Sequence, residues 1–147
     1  MKQESAFIEE VSELIDVPLK EDQVSALKSV YEFLFYGGPQ SAFILRGYAG
    51  TGKTTLMGGL IRWFHQVNRK TVLMAPTGRS AKVLSSHSGY PASTIHRRIY
   101  SVKENENGRM QMQLMQNKSE KTIFIVDEAS MIGEANPEDG LSARSLL

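Results

Sequence analysis

The residues from 47 to 54 carry the strongest chemical signal in the chain. They read Gly-Tyr-Ala-Gly-Thr-Gly-Lys-Thr, which fits the pattern G-x-x-x-x-G-K-[ST]. Glycines at this spacing let backbone N–H groups turn toward one point and form a nest for an anion. A helix that begins here adds the positive end of its dipole. The spacing therefore predicts a phosphate-binding loop, and the alternative is an ordinary Gly-rich turn before a helix.

Two side chains in this loop supply what the backbone nest cannot. The Lys53 ammonium is placed to contact the β- and γ-phosphates of a nucleotide, and the Thr54 hydroxyl is placed to bind Mg²⁺. The sequence thus predicts a nucleoside triphosphate and Mg²⁺ as cofactors. The expected nucleotide contacts in the loop are Gly47, Ala49, Gly50, Thr51, Gly52, Lys53, Thr54 and Thr55.

Asp127 and Glu128 follow an apolar run at residues 122–126 that predicts a buried strand. Ligands of parallel sheets gather at the carboxyl ends of the strands, so both acids are expected beside the phosphate-binding loop. Asp127 is then suited to hold Mg²⁺, and Glu128 to orient and deprotonate an attacking water. The alternative is that the two acids only begin a loop or cap a helix.

The elements that position these residues follow from apolar spacing. Helices are predicted at the N-terminus as far as residue 15, at 21–35 and at 52–66. A helix at 78–84 is expected with Thr77 as its cap, and a further short helix that ends at residue 99 is expected with Ser93 or Thr94 as its cap. Apolar runs at 41–45, 71–75 and 122–126 predict buried parallel strands. The alternation at 110–114 predicts a polar hairpin with 99–103. Strands separated by helices indicate an α/β fold with a parallel sheet, that of a P-loop NTPase.

Charge is unevenly distributed along this near-neutral chain of 147 residues and net charge +1. Residues 1–32 contain three lysines and eight acids, whereas residues 62–103 contain eight basic residues and no acid. The basic stretch is either the footprint of a polyanion or a solvated face that happens to be basic. The chain has no cysteine, which excludes disulfides and thiolate metal sites, and the cytoplasm is the default compartment.

With these residues assembled, the chain resembles superfamily 1 DNA helicases of the RecD/Dda-like, 5′→3′ branch. Residues 19–27 are similar to the Q motif, in which a glutamine reads adenine, and that role would fall on Gln23. Lys20 stands where the family usually has Thr or Ser, which puts the helix cap there in question. Residues 47–54 match motif I, and residues 127–131, Asp-Glu-Ala-Ser-Met, resemble motif II of this branch.

Residues 75–81 look like motif Ia and residues 93–97 like motif Ib, both of which touch single-stranded DNA in the family. Both lie within the basic stretch, where hydroxyls and amides can contact phosphates. His96 is expected either to contact DNA or to pack on the sheet, and Trp63 is interpreted as core. The expected DNA contacts are Pro76, Thr77, Gly78, Arg79, Lys82, Thr94, His96 and Arg97.

The resemblance implies an ATP-dependent DNA helicase with a RecA-like motor domain. A helical segment is expected at 1–40 and a partial motor domain at 41–147, with a β-hairpin insertion at about 99–118. No motif III and no second motor domain follow motif II, so the chain is expected to be a fragment that lacks its partner domain and is inactive alone. The main alternative is a non-catalytic, nucleotide-dependent nucleic-acid-binding or regulatory module. A small-molecule kinase and a GTPase are less favoured, because neither an Arg-rich lid nor Asn-Lys-x-Asp is present.

Overall fold

The computed structural model describes residues 2–104 and 108–132. It divides the chain into two compact units, one made of Met1–Arg69 with His87–Gly89 and the other of Lys70–Ser86 with Tyr90–Leu147. The glycine loop at residues 47–54 belongs to the first unit, and Asp127 and Glu128 belong to the second. Among the described residues, no helix is both long enough and apolar enough to cross a bilayer.

Three helices build the first unit: α1 (Lys2–Glu13), α2 (Glu21–Tyr36) and α3 (Lys53–Gln66). Each has apolar residues at helical spacing, and these residues form the buried core that the sequence predicts. Helix α3 begins directly after the glycine loop, so the core that holds α3 in place also positions the loop. The buried side chains are Phe7, Val11, Ile15, Leu27, Val30, Tyr31, Leu56, Leu60, Ile61, Trp63 and Phe64.

Aromatic contacts join the three helices of this core. The Trp63 ring meets the Phe7 ring edge to face, with centroids 4.8 Å apart, and Phe7 also lies 5.6 Å from Tyr31. The Trp63 indole N–H donates to the Glu10 carboxylate at 2.7 Å, so the one polar atom of the ring is paired. Trp63 is therefore a core residue, as predicted.

Burial raises the pKa of the Tyr31 phenol above its ordinary value. The nearby Tyr36 ring and the Glu4 carboxylate add to this rise, because a second negative charge beside either group is unfavourable. Tyr31 is thus held in its neutral, protonated form while it packs from α2 against Phe7 of α1.

The glycine pair at 58–59 lies where α3 meets its neighbours in the first unit. A Cβ placed on Gly59 would lie 2.5 Å from Ile15 Cγ1 and 3.4 Å from the Val11 carbonyl oxygen, so only glycine lets the two backbones approach this closely. One turn further on, Arg62 donates through Nε and Nη2 to the Leu14 carbonyl at 3.0 and 2.6 Å. The guanidinium thereby satisfies a carbonyl just after the end of α1.

A three-stranded parallel sheet forms the centre of the second unit. It contains β1 (Thr71–Ala75), β2 (Ala92–Thr94) and, two strands further along the chain, β5 (Ile123–Val126), in the order β2-β1-β5. The register pairs Ala75 with Thr94 and Met74 with Val126, so the three strands end at the same edge. Helix α4 (Gly78–Ser88) follows β1, and helix α5 (Ile95–Ile99) follows β2. This confirms the predicted α/β class with a parallel sheet.

An antiparallel hairpin lies between α5 and β5. Its strands are β3 (Tyr100–Glu104) and β4 (Met110–Leu114), and the pairing of Val102 with Met112 sets the register. The predicted pairing of these two segments is confirmed. Every residue of β4 is exposed, including Met112 and Leu114.

The strand predicted at residues 41–45 is wrong. Residues 41–48 have no regular secondary structure, and Ile44 is 73% exposed. Phe43 has a ring contact with Phe33 of α2, with centroids 5.7 Å apart. A parallel strand needs a neighbour that accepts and donates its backbone hydrogen bonds, and the described sheet of β2, β1 and β5 does not include this run. An apolar run alone therefore does not make a strand.

The end of one helix and the presence of one strand also differ from expectation. Helix α4 continues to Ser88, beyond the predicted end at residue 84, because Leu84 and Ser88 keep a buried face one turn apart. The short strand β2 was not predicted, since three residues that include only one apolar side chain give no periodic signal.

Candidate nucleotide-binding loop and sheet edge

The backbone of the glycine loop has the conformation that an anion nest requires. Gly50 and Gly52 have φ angles of +78° and +84°, in the left-handed region that other residues rarely enter. Gly52 is the N-cap of α3 and has no side chain to cap the helix. The first N–H groups of α3 lack partners within the helix, so this terminus is open to an anionic ligand.

Lys53 lies at the first position of α3 and turns its ammonium back over the loop. Nζ donates to the carbonyl oxygens of Gly47 at 2.7 Å and Tyr48 at 2.8 Å. The positive charge is thus held at the loop by two neutral acceptors. A phosphate oxygen is a better partner for an ammonium than a carbonyl is, because a charge-assisted pair is stronger.

Thr51 forms a hydrogen bond within the loop. Its hydroxyl donates to the Tyr48 carbonyl at 2.9 Å, and a Cβ on Gly47 would lie 2.9 Å from this hydroxyl oxygen. Gly47 is therefore required for close packing within the loop rather than for a positive φ. The Tyr48 ring is 89% exposed at the apex of the loop.

Gln23 contacts the loop from the first turn of α2. Its Nε2 donates to the Thr51 carbonyl at 3.0 Å, and its Oε1 accepts from the Lys20 N–H at 2.9 Å. The second bond is one half of a capping box. Because a lysine ammonium has no lone pair, Lys20 cannot supply the other half, as its departure from the family pattern suggests.

A pocket of about 320 Å³ adjoins the loop in the first unit. It lies between the start of α2 and the start of α3, so one wall is the glycine loop and the other is the Q-motif-like segment. The lining residues are Val17, Pro18, Lys20, Gln23, Gly50, Thr51, Gly52 and Thr55. The structure thus brings together the predicted nucleotide contacts Gln23, Gly50, Thr51, Gly52 and Thr55.

In the second unit, the motif-bearing residues lie at one edge of the sheet. Thr77 comes two residues after β1 ends, Thr94 ends β2, and Asp127 comes directly after β5. The Asp127 N–H donates to the Met74 carbonyl at 3.0 Å, which extends the β1–β5 ladder to this residue. Because parallel strands end together, the structure brings the predicted Ia, Ib and II segments to a common edge.

Thr77 caps α4, as predicted. Its hydroxyl accepts from the Ser80 N–H at 3.1 Å, and the Ser80 hydroxyl accepts from the Thr77 N–H at 3.2 Å. This reciprocal pair was missed at the sequence level, although the Thr-x-x-Ser spacing contains the signal. Arg79 and Lys82 are exposed on the helix that the pair begins.

Thr94 plays the same part for α5. Its hydroxyl accepts from the Arg97 N–H at 3.2 Å, so Thr94 is the cap, one of the two residues that the sequence offered, Ser93 and Thr94. His96 and Arg97 are both exposed, and the His96 ring lies 6.2 Å from the Tyr100 ring. His96 thus faces solvent rather than packing on the sheet.

Asp127 and Glu128 form a tight turn at the end of β5. The Asp127 carboxylate accepts from the Glu128 N–H at 2.9 Å, and Glu128 has a φ of +54°. A left-handed conformation is uncommon for glutamate, and such backbone outliers cluster at functional sites. Glu128 is exposed, and a single 3₁₀ turn (Ala129–Met131) follows it. The predicted approach of these acids to Lys53 and Thr54 across Mg²⁺ stays a prediction, because the two pairs belong to separate units.

Comparison with known proteins agrees with this geometry. A family model described as an AAA domain matches residues 18–143, which is most of the chain. The chain belongs to the AAA domain family. The match covers both the glycine loop and the acids Asp127 and Glu128 after β5.

Three curated relatives match part of the chain. The chain is 36% identical over 90 residues, 59% of its length, to the ATP-dependent DNA helicase Dda of Enterobacteria phage T4. It is 31% identical over 93 residues, 63% of its length, to the ATP-dependent RecD2 DNA helicase of Deinococcus radiodurans. It is 29% identical over 114 residues, 78% of its length, to a probable conjugal transfer protein, TraA, of Sinorhizobium fredii. These matches cover 20%, 12% and 9% of the respective relatives.

The first two relatives confirm the predicted resemblance to the N-terminal motor region of superfamily 1 helicases of the RecD/Dda-like branch. The aligned regions cover a fifth or less of the length of these two relatives. What the comparison establishes for this chain is the family and the P-loop NTPase class of fold.

Proposed function

We propose that the chain is the ATP-binding part of a motor that couples ATP hydrolysis to movement along single-stranded DNA and to unwinding. The observation that carries the proposal is the start of α3. Two left-handed glycines, an N-terminus without a side-chain cap and the Lys53 ammonium converge on one point. The two relatives named as ATP-dependent DNA helicases support ATP as the nucleotide and DNA as the track.

The residues present fit a nucleotide with Mg²⁺. Glycine is required at Gly47 and Gly52, where a Cβ would collide with the Thr51 hydroxyl and the Gln23 amide respectively, so the cradle is built from backbone. The Thr54 hydroxyl and the Asp127 carboxylate are hard oxygen donors, the class of ligand that Mg²⁺ prefers. When bound, the metal ion would neutralise charge on the phosphate oxygens.

Each residue of the proposed nucleotide site then has a defined role. Lys53 exchanges its bonds to the Gly47 and Tyr48 carbonyls for bonds to phosphate oxygens. The N–H groups at the start of α3 hold the phosphates in place. Glu128 orients the attacking water and accepts its proton.

DNA contact is proposed for the common sheet edge of the second unit. Thr77 and Thr94 lie at the carboxyl ends of β1 and β2, and their hydroxyls already bond backbone N–H groups of the helices that follow. Arg79, Lys82 and Arg97 are exposed nearby on those helices. Exposed cations without a neighbouring acid in sequence attract a phosphate backbone, and Pro76, Gly78 and His96 complete the proposed contact set.

The nucleotide site is tested by calorimetry with ATP and Mg²⁺ on the full chain. Lys53→Ala is expected to weaken binding by at least tenfold, since it removes a charged hydrogen bond worth about 1.5–3 kcal/mol. Lys28→Ala, at an exposed lysine of α2, is the matched control and should bind as the parent chain does. Absence of ATP binding by the parent chain contradicts the proposal.

The motor function is tested by steady-state hydrolysis with and without single-stranded DNA. Hydrolysis that DNA stimulates and that Glu128→Gln abolishes supports a motor. Nucleotide binding without any turnover indicates instead the non-catalytic nucleic-acid-binding or regulatory module.

The DNA surface is tested by fluorescence anisotropy at several salt concentrations. The slope of log K against log salt is negative, and each of Arg79→Gln, Lys82→Gln and Arg97→Gln should reduce its magnitude by about 0.7, the value for one phosphate contact on a single strand. Lys28→Gln is the control and should leave the slope unchanged. Slopes that are equal in all four variants contradict the proposed contacts.

A further inference from the structure

Both polar atoms of the Gln23 side-chain amide are already used within the chain. Oε1 accepts from the Lys20 N–H at 2.9 Å, which holds the amide at the first turn of α2. Nε2 donates to the Thr51 carbonyl at 3.0 Å, 28 residues further along. The bond is partly buried, and it joins the start of α2 directly to the backbone of the glycine loop.

The amide also lies against the point where α3 begins. A Cβ on Gly52 would collide with Gln23 Nε2, so the two groups are in direct contact. On the other side of the loop, the Lys53 ammonium holds the carbonyls of Gly47 and Tyr48. Gln23 therefore hydrogen-bonds the loop backbone from outside the loop.

This contact has a geometric consequence for the anion nest. In a planar trans peptide, the carbonyl of one residue and the N–H of the next point in opposite directions. Because Gln23 draws the Thr51 carbonyl toward α2, the Gly52 N–H must point away from α2. The same bond supports the left-handed Gly52, whose φ is +84°.

We infer that Gln23 is a positioning residue for the phosphate-binding loop, in addition to any contact that it makes with a base. The inference rests on the proposed nucleotide site. It assigns to Gln23 an effect on the affinity for the phosphate chain itself. A residue that only reads adenine has no such effect.

Inorganic tripolyphosphate separates these two roles, because it has the phosphates of a nucleotide but no base. Its binding and that of ATP are measured by calorimetry with Mg²⁺ on the parent chain, Gln23→Met and Gln23→Glu. Methionine keeps the length of the side chain and removes both hydrogen bonds. Glutamate keeps the acceptor for Lys20 and places an oxygen against the Thr51 carbonyl. Gln3→Met, at an exposed position of α1, is the matched control.

Loss of one partly buried hydrogen bond weakens binding roughly threefold to tenfold when that bond holds the bound conformation. We expect both Gln23 variants to bind tripolyphosphate at least threefold more weakly than the parent chain does. Their affinity for ATP should fall by the same factor or more. Amide hydrogen exchange at residues 50–54 should also become faster in both variants, while circular dichroism and the urea midpoint verify that they are folded.

Two results overturn the inference. If the variants lose ATP affinity but bind tripolyphosphate as the parent chain does, Gln23 acts only on the base. If Gln23→Glu binds tripolyphosphate normally and only Gln23→Met is weakened, the bond to Lys20 matters and the loop contact does not. If the parent chain binds neither ATP nor tripolyphosphate, the proposed function is contradicted instead.

Discussion

The two adjacent glycines of α3 should respond in opposite ways to the same substitution. Both are buried in one helix, so Gly→Ala raises helix propensity equally at both, by about 1 kcal/mol. The surroundings differ. A Cβ on Gly58 would have its nearest contact at 3.4 Å, with the His87 carbonyl oxygen, whereas one on Gly59 would lie 2.5 and 2.7 Å from Ile15 Cγ1 and Cδ1.

Overpacking of this kind costs about 1–3 kcal/mol, because Ile15 is buried and its branched side chain has few rotamers. Gly59→Ala should therefore be less stable than Gly58→Ala by about 1–3 kcal/mol in urea unfolding. Gly58→Ala should lie within about 1 kcal/mol of the parent chain. The difference between the two variants isolates the packing effect, since the propensity gain is common to both.

A double-mutant cycle locates the clash. Ile15→Ala removes both atoms that the new Cβ would meet, so it should cost less in the Gly59→Ala background than in the parent chain, with a coupling of about 0.5–3 kcal/mol. If Gly59→Ala is as stable as Gly58→Ala, or if the coupling is zero, then Ile15 does not pack on α3 at Gly59 and the reasoning is refuted.

Three further outcomes follow from single contacts. Thr77→Ala removes the cap of α4 and should lower the free energy of unfolding by about 1 kcal/mol, whereas Thr77→Ser should retain most of it; equal stabilities would contradict the cap. Glu10→Ala leaves the Trp63 indole N–H without its acceptor and should cost about 1 kcal/mol in urea unfolding followed by Trp63 fluorescence, with Glu9→Ala as the unaffected neighbour. The folded chain has a raised pKa at Tyr31, so the unfolded chain loses this proton first and stability should fall as the pH rises above about 10.0. Tyr31→Phe should make that fall smaller, and an identical pH profile would contradict the assignment.

Much of the candidate site could be predicted from local sequence. The Gly-x-x-x-x-Gly-Lys-Thr spacing predicted a glycine-dependent turn and the start of a helix, and the structure has left-handed glycines and the start of α3 there, because the backbone restrictions depend only on residue type. The caps of Thr77 and Thr94 followed for the same reason, since a hydroxyl reaches an N–H three residues away whatever the surroundings. Helices α1 to α3 followed from apolar spacing.

Contacts between distant segments could not be predicted in this way. The run at 41–45 has the composition of a buried strand, yet a strand exists only where a neighbour completes its ladder, and Ile44 is exposed. The short strand β2 shows the reverse case, since its pairing with β1 and not its composition makes it a strand.

By itself, then, the sequence determined the chemistry that is local: an anion nest before Lys53, two capped helices and a pair of acids after an apolar run. The tertiary structure alone decided which partners these groups meet. It joined Gln23 to the Thr51 carbonyl and pressed Ile15 against Gly59, because helix packing brings together atoms that lie 28 and 44 residues apart in the chain. Residue type sets what a group can bond, and packing sets what it does bond.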